Sequence, residues 1–192
     1  MKEILLIGGG GHCKSVIDVI EQEGAFHIVG IIDQPKLLGK ETLKYKIIGN
    51  DADLTSLAKK YKYALIAVGQ VSSPKLRIKL FNLAKEAGFT LPSIISPRAY
   101  VSTYASVGEG TVIMHDAVIN ASACVEENCI INTKAIIEHD VVIHKHCHIS
   151  TGAIVNGEVS IGEGTFVGSS STTKEGIIIK ENSFIKAGSV VK

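Results

Sequence analysis

Several things are missing from this 192-residue chain. It has no run of like charge: 20 basic and 19 acidic residues are interspersed, for a formal net charge of +1. A nucleic-acid groove or an anionic membrane surface needs a one-signed patch, so both partners are excluded and a small molecule is expected instead. Long apolar runs are missing too. The N-terminus, "MKEILLIGGGGHCKS", offers only Ile4–Ile7 before its glycines, too short for a signal-peptide core, and no stretch could span a bilayer. Cysteine is scarce and irregularly spaced, four in all. With no secretory signal, the expectation is free thiols in a reducing cytoplasm.

Two composition regimes meet near Pro92. Before it, strand-like and helical runs alternate: strand Glu3–Ile7, helix Gly11 to Glu23, strand His27–Ile32, helix Ala52–Lys60, strand Tyr63–Val68, helix Pro74–Glu86 stopped by Gly88, and strand Phe89–Ile95. This alternation predicts a small parallel α/β domain over residues 1–92.

After Pro92 helical patterning vanishes and a period of six takes over. Every sixth residue from Ile95 to Val191 is Ile or Val, except Thr173. Four residues after each comes a second, mostly small column running Ala99, Ala105, Thr111, Ala117, Ala123, Cys129, Ala135 and onward. Such units bury their apolar residue only by stacking on neighbours, so residues 93–192 are expected to form a solenoid. Three units per coil would place residues eighteen apart directly above one another, with strands about 4.8 Å apart and about five coils in a prism roughly 25 Å long. Cys129 and Cys147 then stack in adjacent coils as small apolar fillers.

"IGGGGHCKS" follows a strand and opens a helix, so its N–H groups and the helix dipole could hold a phosphate. As a dinucleotide fingerprint it is imperfect, because Cys13 stands where the third glycine belongs. Some ninety residues also build only half a dinucleotide fold. A nucleotide sugar fits better than NAD, the plainer reading being a tight turn. Asp33, ending the second strand, could bond ribose hydroxyls.

"AIIEHDVVIHKHCHIS" gathers four of the seven histidines. His144, His146 and His148 alternate and could share a face, which raises zinc, but three ligands on one short strand splay apart and no fourth is supplied. No metal is expected, with His144 and His146 as solvated surface residues. His139 lies two residues past the inward Ile137, near a corner where its side chain can face out.

The hexapeptide columns, with units such as "VGEGTV", "IGEGTF" and "VGSSST", resemble the left-handed β-helix of hexapeptide-repeat acyltransferases. Joined to "GGGGHCKSV", the whole chain is similar to the sugar acetyltransferases of bacterial glycan pathways, which include sialic acid O-acetyltransferases and UDP-4-amino-sugar N-acetyltransferases. The resemblance implies an N-terminal half-Rossmann-like α/β domain followed by an all-β left-handed parallel β-helix. It also implies a homotrimer with acetyl-CoA lying in the cleft between subunits. By the same resemblance His139 is the general base, Asp140 orients it, Asn132 lines the sugar side and His148 lies near the acetyl group. Gly10, Gly11, His12, Asp33 and Gly69 contact the nucleotide, and Gly152, Gly157 and Gly168 allow close approach of the cofactor.

The activity implied is transfer of acetyl from acetyl-CoA to the amine of a UDP-linked amino-deoxysugar, His139 taking a proton as the nitrogen attacks. Two alternatives stand beside it. "IIGNDADL" and "VNGEVSIGEGTFVGS" look like the sialic acid O-acetyltransferase branch, and a β-solenoid that has lost its chemistry would be an interaction module. The sequence departs from the family after "AGSVVK", where no Gly-x-Pro-Ala segment follows. That implies either a chain that continues or a weaker hold on CoA.

Overall fold

The computed structural model describes all 192 residues. The chain falls into two compact units, one of Met1–Gly69 with Lys75–Pro92 and one of Gln70–Pro74 with Ser93–Lys192.

In the α/β unit, strand β1 (Lys2–Ile7) lies at the centre of a sheet, parallel to β2 (Phe26–Ile32) on one side and to β5 (Tyr63–Ile66) on the other. The run Ile4–Ile7 is buried on both faces, as expected of a strand covered on both sides. Helix α1 (Gly11–Glu23) buries Cys13, Val16, Ile17, Val19 and Ile20 along one stripe and stops at Gly24, which takes the left-handed φ of 75°. Helix α3 (Lys75–Ala87) buries Arg77, Leu80, Phe81 and Ala84, a spacing of three and four residues.

Three details differ from the sequence reading. The sheet gains an edge hairpin, β3 (Glu41–Thr42) with β4 (Tyr45–Gly49), in a charged stretch where only Ile47 and Gly49 of β4 are buried. The expected Ala52–Lys60 helix is shorter, a 3-10 turn at Asp51–Asp53 leading into α2 (Leu54–Ala58). Phe89–Ile95 is not one strand. Thr90 makes only a bridge to Tyr63, while Ile94–Ile95 begins the solenoid.

The second unit is a triangular prism of two-residue strands running from Ile94–Ile95 to Val190–Val191. They stack into three parallel sheets of six, six and five strands. Register is eighteen residues throughout, as in Val118↔Ile136↔Ile154 and Cys124↔Val142↔Ser160. The second residue of each strand points inward, so Ile119, Ile137 and Val155, like Ile131 and Ile149, are fully buried. Each such side chain contributes about 1.5–3 kcal/mol. The small column fills the corners, with Ala117, Ala135, Cys147 and Ala153 at 0% exposure.

The corners carry a signature of their own. Every sixth residue from Gly110 to Gly188 has a positive φ, among them Asn128, Lys134, Asp140 and His146. A non-glycine residue there costs about 1–2 kcal/mol. The coil offsets this by using the corner N–H in a rung to the coil before, as Asp140 N–H does to Ala121 O at 3.2 Å.

Candidate active site

The glycine loop opens a cleft of about 540 Å³ in the α/β unit, lined by Gly8–His12, Asp33, Asn50–Ala52, Gly69 and Leu80 among others. The structure therefore brings together Gly10, Gly11, His12, Asp33 and Gly69. Each glycine of the loop has its own reason. Gly8 has a φ of 102°, and a Cβ there would meet Val68 Cγ2 at 2.3 Å. At Gly10 and Gly11 a Cβ would meet nothing within 4 Å. Their missing side chains serve no packing and leave the start of α1 bare. No side chain caps that helix and no acidic residue sits in its first turn, so its N–H groups are open to an anion.

Asp33 sits at this loop with both carboxylate oxygens already engaged. One carboxylate oxygen accepts from Gly9 N–H at 2.6 Å and the other from Gln34 N–H at 2.6 Å, while Thr42 Oγ1 donates to Gly9 O at 2.7 Å. It is the clasp that shapes the loop. Gly69 makes room for His12, whose Cβ lies 3.3 Å from the position a Gly69 Cβ would take. Cys13, which replaces the third glycine, is fully buried, and burial together with the charge of Asp33 pushes its thiol up to about 12. It is packing.

In the prism, His139 stands at the corner between the second face, built on Tyr100, Val118, Ile136 and Ile154, and the third face, built on Ser106, Cys124, Val142 and Ser160. The left-handed φ of 60° at Asp140 turns its carboxylate back so that Oδ2 lies 2.8 Å from His139 Nδ1. A carboxylate only accepts, so Nδ1 carries the hydrogen and Nε2 keeps a lone pair. Both side chains are more than half exposed. Gly157 lies directly beneath: a Cβ there would sit 2.8 Å from both Cε1 and Nε2 of His139. Its missing side chain leaves the basic nitrogen open.

The hydrogen bond to Asp140 raises the His139 pKa above its ordinary 6.5, and the charges of Asp140, Glu138 and Glu158 add to that. A base must be neutral to accept a proton, so the acid limb of the rate profile is expected above pH 6.5. Asp140→Asn removes the charge and the ionic acceptor, so it should move that limb to lower pH while lowering the plateau. A pH series of kcat on wild type and variant measures both. A limb that moves upward or stays in place rules out this pairing.

Asn132 and His148 are brought together, but elsewhere. Asn132 follows the strand Ile130–Ile131 of the first face, built on Ile94, Val112, Ile130, His148, Phe166 and Phe184, and so lies at the corner between the first and second faces. Its Nδ2 lies 3.1 Å from Nε2 of His148, which is 5% exposed and packs edge-on against Phe166. Asn132 and His139 thus flank the two ends of Ile136–Ile137, at opposite edges of one face.

The remaining histidines separate. His144 Nδ1 lies 3.2 Å from Glu126 Oε1. His146 corrects the surface reading: it is 6% exposed, at a left-handed corner, with Nδ1 2.9 Å from Asn128 Nδ2. No group of three His, Cys, Asp or Glu side chains is arranged to hold a metal ion. His115–Asp116 repeats the His–Asp dipeptide at another corner, yet there Arg98 grips Asp116 at 2.8 Å and His115 Nδ1 pairs with Ser96 Oγ at 2.7 Å. Only at 139–140 does the acid reach its own histidine.

Gly152 and Gly168, expected along the cofactor, have reasons within the coil. Gly152 occupies a left-handed corner with φ 66°, and a Cβ at Gly168 would fall 2.4 Å from Ala187 N. Two residues escaped the sequence reading. Arg77 is 1% exposed and its Nη1 donates to Ile66 O and Val68 O, both at 2.8 Å, holding the end of β5 ahead of Gly69. Its signal was legible: one basic residue in phase with the apolar stripe Leu80, Phe81, Ala84. Gln70, 2% exposed, had none.

Comparison with known proteins bears on both units. Residues 3–83 match the PglD N-terminal domain, and residues 158–192 match the hexapeptide repeat of succinyl-transferase. A UDP-N-acetylbacillosamine N-acetyltransferase of Bacillus subtilis is 37% identical over 116 residues, 59% of this chain. That match spans 52%, about half, of the relative's own length. Among solved structures, the acetyltransferase domain of PglB from Neisseria gonorrhoeae superposes with a TM-score of 0.92 at 28% identity, over 100% of this chain and 92% of that one. PerB from Caulobacter crescentus, solved in complex with CoA and GDP-perosamine, does so with a TM-score of 0.92 at 31% identity, over 100% of this chain and 89% of that one. With an α/β unit and a left-handed β-helix joined in the same order and matched over its full length, the chain belongs to the hexapeptide-repeat sugar acetyltransferases.

Proposed function

We propose that the protein transfers the acetyl group of acetyl-CoA to the amine of a UDP-linked amino-deoxysugar, as a homotrimer in the cytoplasm. The observation that carries this reading is His139, oriented through Nδ1 by Asp140 with Nε2 open above Gly157. Acetyl-CoA supplies the thioester carbonyl that is attacked. The chain supplies the rest: Nε2 takes the proton that the amine sheds as its nitrogen becomes bonded to the carbonyl carbon, the Asp140 carboxylate stabilises the resulting imidazolium, and that imidazolium returns the proton to the CoA thiolate as the C–S bond breaks. The open start of α1, the bare Gly10 and Gly11 and the Asp33 clasp suit the diphosphate of a nucleotide sugar.

The separation of the His139–Asp140 pair from the Asn132–His148 pair supports the homotrimer, each edge being half of a site. Outward residues on the second face are Tyr100, Val118, Ile136, Ile154, Thr172 and Val190, a column apolar but for Thr172, in which Tyr100 is 59% and Val190 69% exposed. Packing that column around a three-fold axis sets the His139 edge of one copy beside the Asn132–His148 edge of the next. No helix is long and apolar enough to cross a membrane.

The test is thiol release from acetyl-CoA with UDP-linked and GDP-linked 4-amino-sugars and with CMP-sialic acid. Turnover is expected with the UDP-amino-sugar. UDP alone should raise the melting temperature by linkage, and Asp33→Ala, which opens the clasp, should weaken that protection. Release only with CMP-sialic acid would replace this reading by O-acetylation, and protection by GDP but not UDP would replace the nucleotide.

A further inference from the structure

Gln70 is an unexpected resident of the prism unit. It belongs to the short stretch Gln70–Pro74, which folds with residues 93–192 although the chain on either side of it does not. Its side chain is 2% exposed. Nε2 donates to His146 O at 2.8 Å and leans toward Gly164 O at 3.5 Å. Oε1 is buried with no hydrogen-bond partner. Burying an unsatisfied amide oxygen is unfavourable, and an apolar side chain of the same size would fill the space without that cost. What the carboxamide secures is therefore position. The object positioned is the Gln70 backbone carbonyl, which accepts from His148 Nδ1.

That bond determines the state of His148. A carbonyl oxygen can only accept, so Nδ1 carries the hydrogen. Nε2 must then accept, and Asn132 Nδ2 donates to it at 3.1 Å. The amide of Asn132 cannot turn over freely, since its Oδ1 accepts from Thr133 N–H at 2.8 Å. Three linked bonds leave His148 neutral, in one tautomer, with its ring plane fixed against Phe166.

We propose that Gln70 is a positioning residue for the acetyl transfer: its buried carboxamide pins the 70–74 loop so that its own carbonyl holds His148 in the Nδ1–H tautomer and, through Nε2, orients the Asn132 amide at the half-site opposite His139. This rests on the transferase reading. Gln70 acts through His148 and Asn132 and need touch neither substrate.

The experiment pairs a spectrum with kinetics. In uniformly 15N-labelled full-length protein at neutral pH, with His148 assigned through a His148→Gln spectrum, its imidazole should show a protonated Nδ1 and an unprotonated Nε2. Gln70→Ala should yield a mixture of tautomers. It should also lower kcat on the order of 10- to 100-fold, the scale of a small misplacement of a reacting group, with the KM for acetyl-CoA little changed. Gln70→Glu, which sets an acceptor against the His146 carbonyl, should fall as far. A wild-type His148 found with its proton on Nε2, or doubly protonated, overturns the proposal whatever the variants do. So does a Gln70→Ala protein that keeps both the single tautomer and wild-type kcat. A wild type that releases no thiol with any nucleotide amino-sugar overturns the transferase reading itself, which the tautomer spectrum does not address.

Discussion

Replacing His139 by alanine should lower kcat by about 10²- to 10⁴-fold, the usual worth of a general base, while acetyl-CoA still binds. The expectation is concentrated on one histidine because of where each of the others points. His144 is paired to Glu126, His146 is buried on Asn128, and both nitrogens of His148 are engaged by Gln70 and Asn132. Only His139 combines an ionic partner on one nitrogen with open space at the other. His144→Ala should be nearly silent. His148→Ala should be intermediate, since it disorders a half-site without removing the proton acceptor. The fold should not be at issue, because the His139 side chain is 58% exposed and the inward Ile137 is untouched. Single-turnover rates on the amino-sugar, beside acetyl-CoA binding measured by calorimetry, separate the two effects. A His139→Ala enzyme that keeps most of its kcat, or a wild type silenced by chelator, would remove His139 from the role of base.

Why the His139–Asp140 pair was legible in the sequence and its more distant surroundings were not is a matter of range. The six-residue columns are local and repetitive, so strand positions, inward residues and the eighteen-residue register follow from the chain directly, as Ile119↔Ile137↔Val155 shows. His139 and Asp140 are neighbours, and a corner at Asp140 is enough to join them. The clasp of Asp33 on Gly9 and the latch of Gln70 on His148 span 24 and 78 residues. Nothing in the local pattern of either residue marks its partner. The hairpin Glu41–Gly49 escaped for a different reason. Its strand β4 is an edge, buried at alternate residues only from Ile47, and its charged positions face solvent. Gly157 is the reverse case. Its glycine was visible, but its use became clear only when the coil stacked His139 upon it.

The largest effect is expected from separating the chains. Ile136 and Ile154 are outward and only partly covered, unlike the fully buried Ile137 and Val155 beside them, so aspartate at both positions should leave the prism folded. It places like charges on the face proposed to pack around the three-fold axis. The product should be a folded monomer whose turnover is at least as low as that of His139→Ala, because the His139 edge then has no Asn132–His148 edge opposite it. Sedimentation and circular dichroism establish the first half of that statement, and thiol release the second. A stricter form uses no interface change. Chains carrying His139→Ala and chains carrying Asn132→Ala with His148→Ala are each expected to be nearly inactive alone. Co-expressed, they should form mixed trimers in which roughly a third of the sites receive an intact half from each parent. Activity should return in that proportion. Recovery cannot occur if all three residues serve one site within a chain, since every chain then carries a lesion. Mixed trimers, isolated by two different tags, that stay inactive would therefore return the site to a single chain and leave the apolar second face without a catalytic purpose.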